Sequence, residues 1–415
     1  MKSSPLRLYL IYSFSSSLFY QLIFTVNMLY YILVARLDPL QLVLVGTALE
    51  VSVFLFEVPT GVVADSFSRR MSVIIGVFII GAGYILNGLF PVFGTIVLAQ
   101  VLWGLGYTFT SGALQAWISD EIGEQESAHA FLRGSRTEQW GGLLGVVLSI
   151  GLAAFSLRAP ILIGGGLFVA LGIYLLLRMP ETGFKPLSME QRNGWNHLAS
   201  TFKQGLAMVK LRPALIAILG VGFLFGMYSE GYDRLWTAHL VDSFTFPMIP
   251  GLDHLADPAE FNLVIWFGAL KAAVMILSAL ALSLIEKRLH HPRMNALITS
   301  LILCSGVLVL CLLGFALAQN LTLMLILVAL IGMIREVINP IYTAWVNQKL
   351  DSSVRATVIS LSSQVDAIGQ IAGGPVVGMI AKSASISSGL LASGLILAPV
   401  LVLLGLQRNR EELSD

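Results

Sequence analysis

Long apolar runs recur along the whole chain, separated only by short polar stretches. Twelve can be counted, at about 8–34, 41–64, 71–92, 95–118, 138–157, 160–178, 213–236, 261–285, 295–317, 321–345, 355–381 and 386–406. Runs of roughly 20 apolar residues match the hydrocarbon thickness of a bilayer. In lipid every backbone polar group must be satisfied internally, which leaves helices or a closed barrel. Barrel strands alternate over only about 10 residues, so these runs are helices. Composition agrees. Only 12% of the 415 residues are charged, against about 25% for a soluble domain, and the mean hydropathy is +0.82. The expected fold is an all-α membrane protein with twelve transmembrane helices in two six-helix halves.

Several function classes drop out. A net charge of +1 gives no global field for nucleic acid. Cys304 and Cys311 share one apolar run and read as packing residues, and the six histidines form no metal-ligand motif. No GxxxxGK[ST] motif is present, so the chain encodes no P-loop ATPase. No cofactor is expected, no converging nucleophile and base mark an enzyme, and active transport would draw on a gradient. Lys2 and Arg7 precede the first apolar run without a small-residue cleavage site after it, which reads as a retained helix.

The basic residues set the topology. With both termini cytoplasmic, Arg36, Arg158, Arg234 and Lys382 fall at the outer face, and Lys271 and Arg335 fall within spans. All the other basic residues then lie on the inner side, as the positive-inside rule requires. The expected outer loop 237–260 carries Asp242, Asp253, Asp257 and Glu260 but no Lys or Arg. A cell-membrane protein, monomeric and acting on a small molecule, fits this pattern. Residues 179–212 are the longest polar stretch and read as a cytoplasmic linker with an amphipathic helix at about 196–210. They divide an N-terminal half, 1–178, from a C-terminal half, 213–415. A faint echo joins the halves: Ala116-Trp117 and Ala344-Trp345 close the fourth apolar run of each. Such repeats mark transporters built from duplicated halves.

The turn after the second run reads Glu57-Val-Pro59-Thr60-Gly61-Val-Val-Ala64-Asp65-Ser66-Phe67-Ser68-Arg69-Arg70. Gly61 would permit close helix approach. Asp65 sits at the membrane edge, where it can cap a helix or pair with a base. Arg69 and Arg70 can reach acids on adjacent loops, or act simply as positive-inside anchors.

Here the chain resembles the major facilitator superfamily, whose signature in this turn is Gly-x-x-x-Asp-Arg/Lys-x-Gly-Arg-Arg/Lys. Gly61, Asp65, Arg69 and Arg70 match; Ser66 replaces the first base and Ser68 the second glycine. The resemblance spans the whole chain and implies a cytoplasmic latch made of Glu57, Gly61, Asp65, Arg69, Arg70, Asp120 and Arg355. In it, Asp65 would face Arg355 and Arg69 would face Asp120. The segments Glu57–Arg70, Ala116–Glu121, Gly231–Trp236 and Ala344–Pro375 look most like the branch that exports tetracyclines and macrolides. Two departures stand out. Gln100 occupies the place of an arginine four residues before Gly104, and the fifth run has Gly141, Gly142 and Gly145 without the antiporter proline. A similar string with proline, Gly369, Gly373, Gly374, Pro375 and Gly378, lies in the eleventh run.

Charges within spans are expensive and are functional candidates by default. Glu50, Glu336 and Asp366 are candidate proton carriers, and the sequence does not rank them. Glu230 and Arg234 lie four apart and can pair, with an interfacial pair at the helix end as the bland reading. That reading is preferred for Arg234, while Glu230 and Asp233 are equal candidates for the cavity or the interface. Arg335 and Glu336 point roughly 100° apart, so one could meet Asp366 and the other Lys271. A cavity would also draw on Gln21, Asn27 and Tyr30 from the first run, Gln100, Trp103 and Tyr107 from the fourth, and Tyr228 from the seventh. Asn339, Gln364 and Gln370 complete the set. Together they suggest a wide, mostly apolar cavity with a few polar fixings. The expected function is proton-coupled efflux of amphiphilic small molecules. The alternatives are an uptake or lipid carrier of the same fold and a non-transporting scaffold.

Overall fold

The computed structural model describes residues 4–186, 213–286, 294–349 and 352–412, with the side chains of 213–214, 286, 349, 352–360 and 411–412 excepted. The amphipathic helix expected at 196–210 lies outside the described residues. Among the described residues the chain forms twelve long helices. The first six are α1 Pro5–Val34, α2 Pro39–Ser66, α3 Arg69–Leu89, α4 Phe93–Ile122, α5 Glu124–Ala153 and α6 Arg158–Arg178. The second six are α7 Pro213–Ser243, α8 Pro258–Glu286, α9 Met294–Leu317, α10 Leu321–Lys349, α11 Ser352–Ser383 and α12 Ile386–Arg410. No strand occurs among the described residues, as lipid requires of an open chain.

Local chemistry explains the interruptions. α1 closes in a π-helical turn at Tyr30–Val34. α4 breaks at Gly112, whose φ of +72° is left-handed, before resuming at Ala113. Only glycine takes that region without steric cost.

Two helices are longer than their apolar runs. α5 starts at Glu124 rather than near 138, because Ser127, Ala130 and Gly134 give its charged first turns a buried face. α7 runs to Ser243 and absorbs much of the expected loop 237–260. Thr237, His239 and Leu240 are buried there, and the His239 ring lies 5.3 Å from that of Phe315. Polar residues that read as loop are packing residues on the inner face of a helix.

The chain resolves into two compact units. One comprises residues 1–37, 48–198 and 247–268; the other comprises 38–47, 199–246 and 269–415. Each unit is built on one dominant helix pair, α1 with α5 and α7 with α11. The two pairs use the same device. A Cβ on Gly141 or Gly145 of α5 would strike the carbonyl oxygen of Phe14 or Leu18 on α1. A Cβ on Gly369 or Gly373 of α11 would strike the carbonyl oxygen of Phe223 or Met227 on α7. Glycines four apart thus face carbonyls four apart in both units, and each backbone rests directly on its partner. The Ala-Trp echo also has a physical basis. Trp117 and Trp345 are both 1% exposed, the first donating from Nε1 to the Pro180 carbonyl at 2.7 Å. Gly61 behaves differently: nothing lies within 4 Å of a Cβ built there, so it makes no close helix approach.

Ten of the twelve helices are long and apolar enough to cross a membrane by composition; α5 and α11 fall short among the described residues. Both carry glycines that rest on a partner backbone, as do α3 at Gly76 and α4 at Gly106.

The first turns of α2 belong to the second unit. Leu40 and Val43 pack on Gly378, Thr47 packs on Gly374, and the Lys382 ammonium reaches the Asp38 carboxylate at 2.9 Å. Partial burial opposes the charge on Asp38, but the Gln41 backbone N–H and the Lys382 ammonium outweigh it and hold the carboxyl below the usual aspartate range.

Two outcomes are expected. Overpacking a seam costs about 1–3 kcal/mol, so Gly145→Val and Gly373→Val should each melt below wild type in detergent, whereas Gly61→Ala should melt with it. Wild-type melting of Gly145→Val would contradict a close-packed seam. The Asp38–Lys382 pair is exposed and should contribute under about 1 kcal/mol. A lowered folded pKa contributes stability above the ordinary aspartate value of about 3.9, lost as pH falls through the folded value. Lys382→Met should therefore destabilise slightly at pH 7 and converge on wild type in acid; a gap that widened in acid would reverse this sign.

Candidate functional site

The second unit holds a cavity of about 650 Å³, walled by α7, α10 and α11 with Val274 from α8. Its lining follows helical periodicity. α7 supplies Phe225, Ser229 and Asp233, α10 supplies Arg335, Asn339 and Tyr342, and α11 supplies Ser362, Asp366 and Gln370. Each set steps by three or four residues, so each helix turns one continuous polar stripe inward.

Arg335 is the centre of this wall. Its two terminal nitrogens fork onto both oxygens of Asp233, with NH2 2.8 Å from Oδ2 and NH1 paired with Oδ1. The guanidinium also lies over the rings of Tyr228 and Tyr232, at 5.9 and 5.7 Å from their centroids. A bidentate pair fixes orientation as well as charge, and the rings beneath add cation–π attraction. This corrects the expected pairing of Arg335 with Asp366. Asp366 instead accepts from Gln370 Nε2, one turn on, at 2.9 Å. Tyr342 closes the wall by donating to the Ile218 carbonyl at 3.0 Å and sharing a 2.8 Å hydrogen bond with Ser362 Oγ. Glu336 is exposed to the cavity and has no ion pair among the described residues, so it does not pair with Lys271. Lys271 and Gln364 are half-buried and do not line the cavity.

Glu230 and Arg234 form the expected i,i+4 pair, at 2.9 Å, but not at a wet helix end. Their side chains are 3% and 16% exposed. A Cβ on Gly46 would collide with both groups, and Gly374 abuts Glu230 Cγ. Two glycines make the room for the pair, which the bland interfacial reading missed. The lining is also more polar than the mostly apolar cavity expected from sequence.

In the first unit the polar candidates are joined into interhelical bonds. Tyr30 donates to the Asn87 carbonyl at 2.6 Å, and Asn27 accepts from Asn87 Nδ2 at 3.2 Å. Gln100 donates to the Tyr31 hydroxyl at 2.8 Å. Trp103 packs among the rings of Tyr20, Phe24 and Tyr84. Gln21 lies on the seam beside Gly145, its Oε1 buried without a hydrogen-bond partner among the described residues. Tyr107 is 46% exposed. Glu50 is half-buried and Glu57 exposed, both on α2.

The turn between α2 and α3 sits in a dense polar network within this unit. Arg69 pairs with Asp120, donates to the Ala116 carbonyl at 3.1 Å and lies 3.4 Å from Asp65. Arg70 donates from its side chain to the Met179 and Leu176 carbonyls, both at 2.7 Å. Ser68, at the usual glycine position, has an extended backbone that needs no glycine, and its hydroxyl caps α3 at Met71 N. That hydroxyl also donates to Glu181 Oε2 at 2.6 Å, while Glu181 Oε1 accepts the Arg70 N–H at 2.9 Å. Glu121 receives the Thr182 N–H, the Thr182 hydroxyl at 2.7 Å and the Gly183 N–H at 2.8 Å. Glu121 and Glu181 were not among the residues expected in the latch, and several of their partners are backbone N–H groups, which carry no sequence signal. The Arg355 side chain lies outside the described residues.

A double-mutant cycle tests the central pair. Asp233→Asn and Arg335→Gln should each lower the melting temperature, while the double variant loses less than the sum, with a coupling of about 0.5–3 kcal/mol. Strict additivity would mean that the two side chains do not meet.

Comparison with known proteins places this geometry. The model of the Major Facilitator Superfamily matches residues 8–310 and 234–414. The Uncharacterized MFS-type transporter YxaM of Bacillus subtilis (strain 168) is 23% identical over 369 residues, which is 88% of this chain and 87% of that one. Among solved structures, the nucleoside transporter NupG superposes with a TM-score of 0.72 at 15% identity, covering 98% of this chain and 99% of that one. A D-xylose-proton symporter gives 0.70 at 12% identity, covering 97% of each chain. At such identities the structural likeness is one of fold. The family match runs through nearly the whole chain, and the chain belongs to the Major Facilitator Superfamily of membrane transporters.

Proposed function

We propose that this secondary transporter exports amphiphilic small molecules against a proton gradient, with the cavity of the second unit receiving the solute. The observation that carries this is the cavity wall itself, in which the ionisable side chains of Asp233, Arg335, Glu336 and Asp366 stand beside aromatic rings on three long helices. Ionisable groups in spans face cavities and mark substrate or proton pathways. Phe225, Tyr228 and Tyr342 offer apolar contact, and the stripe of Ser229, Asn339 and Gln370 offers orientation. Glu336 and Asp366 are the proton carriers in this scheme, with Glu50 on α2 as a third. The resemblance of Glu57–Arg70 and Ala344–Pro375 to tetracycline and macrolide exporters favours efflux. The basic-residue asymmetry favours a cell-membrane protein with both termini cytoplasmic. The network around Arg69, Arg70, Asp120 and Glu181 then lies on the cytoplasmic side and steadies the turn as a latch. Glu57, Gly61, Asp65 and Arg355 belong to that latch by resemblance.

A second reading is uptake of a small polar solute, which the polar stripes and the similarity to a nucleoside transporter and a D-xylose-proton symporter favour.

The protein in inverted vesicles, given an imposed proton gradient, should accumulate members of an amphiphilic compound panel and release protons as they enter. Glu336→Gln and Asp366→Asn should each reduce that movement by about tenfold or more. Absence of gradient-dependent movement across the panel would sink the export reading, and solute and protons moving in the same direction would favour uptake.

A further inference from the structure

The charge inventory of the cavity is unequal. Among the described residues, three carboxylates, Asp233, Glu336 and Asp366, face it, against one cation, Arg335. That cation is already committed, because both of its terminal nitrogens are bound to Asp233 and the rings of Tyr228 and Tyr232 lie beneath it. Among the described residues, Asp366 accepts a hydrogen bond from the neutral amide of Gln370, and Glu336 has no ion pair. An anionic solute would find a guanidinium with its best donors occupied and two carboxylates repelling it. A cation would find the reverse, in surroundings where Coulomb attraction is stronger than in water. The walls add a second, independent preference. Phe225, Tyr228 and Tyr342 line the same space, and aromatic faces attract cations within about 6 Å. The volume of about 650 Å³ falls in the range that holds a drug-sized molecule.

We propose that the ligand of this cavity is a monovalent organic cation with an apolar or aromatic body, such as a tertiary or quaternary amine. Its charge sits toward Glu336 and Asp366, and its body lies against Phe225, Tyr228 and Tyr342. This rests on the reading that the cavity receives the transported solute. It narrows the broad amphiphilic class to one sign of charge. It also separates the two pairs on α7, since Asp233 works as the counter-ion of Arg335 and leaves the other two acids open to a ligand.

Tetraphenylphosphonium and tetraphenylborate provide the test, because they share a shape and differ in charge. Equilibrium binding to the purified full chain in detergent is measured without any gradient. Saturable tetraphenylphosphonium binding should be at least about tenfold tighter than tetraphenylborate binding. Glu336→Gln and Asp366→Asn should each weaken the cation by several-fold and leave the anion unchanged or improved. Glu336 is exposed, so its variant should keep the wild-type melting temperature and separate binding from folding. Equal affinity for the two ions, preference for the borate, or unchanged cation affinity in both carboxyl variants would overturn the proposal. Gradient-driven export of neutral compounds by a protein that ignores the phosphonium would sink this inference and spare the transport reading. Charge-selective binding without any flux would do the opposite.

Discussion

The rest of the architecture depends on direct backbone contact between α1 and α5 and between α7 and α11. Lipid tails are as apolar as leucine, so hydrophobicity does not drive helices together inside a bilayer. Close packing must do it, and the glycines at 141, 145, 369 and 373 remove the only atoms that would hold the backbones apart. The neighbouring carbonyls then lie where weak Cα–H···O contacts form. The same spacing recurs in both units, so the internal echo is clearer in packing geometry than in residue identity.

That scaffold lets α7 hold two ion pairs with different surroundings. Glu230 and Asp233 are three residues apart, so their side chains diverge by only about 60° around the helix. Glu230 turns to Arg234 beneath Gly46 and Gly374, sealed from the cavity. Asp233 turns to Arg335, on the cavity wall. A sealed pair must be complete, since removing one partner strands a buried charge. A pair on a cavity wall can exchange partners with a ligand or with water at lower cost. Burial thus sorts chemically similar groups into a structural pair and an accessible one.

The helix count and the fold were legible because both follow from one-dimensional quantities, apolar length and charge placement. The Arg69–Asp120 pair was legible only through resemblance. Interhelical pairing was not, because it depends on the rotation and height of one helix against another. Arg335 meets Asp233, 102 residues away, rather than Asp366, and nothing in local spacing distinguishes the two acids. The end of α7 was misjudged because Thr237 and His239 are polar yet packed. The replacement of glycine by Ser68 carries no strain because the chain here is extended, and the serine hydroxyl caps the next helix. The cavity stripes at 225/229/233 and 362/366/370 were available to a periodicity reading. They were passed over because Ser229, Ser362 and Phe225 are unremarkable residues singly.

The two units share a scaffold but not its polar content. In the first, Asn27, Tyr30, Tyr31, Asn87 and Gln100 are neutral and are bonded to one another or to backbone across helices. In the second, Asp233, Arg335, Glu336 and Asp366 stand around open space. Each of these interhelical bonds resists rearrangement, because breaking it leaves a buried polar group without a partner. Charged groups around a cavity change their interactions whenever a proton or solute enters. Among the described residues, the charges that surround a cavity are those on α7, α10 and α11 of the second unit, whereas α1, α3 and α4 of the first are joined by neutral hydrogen bonds.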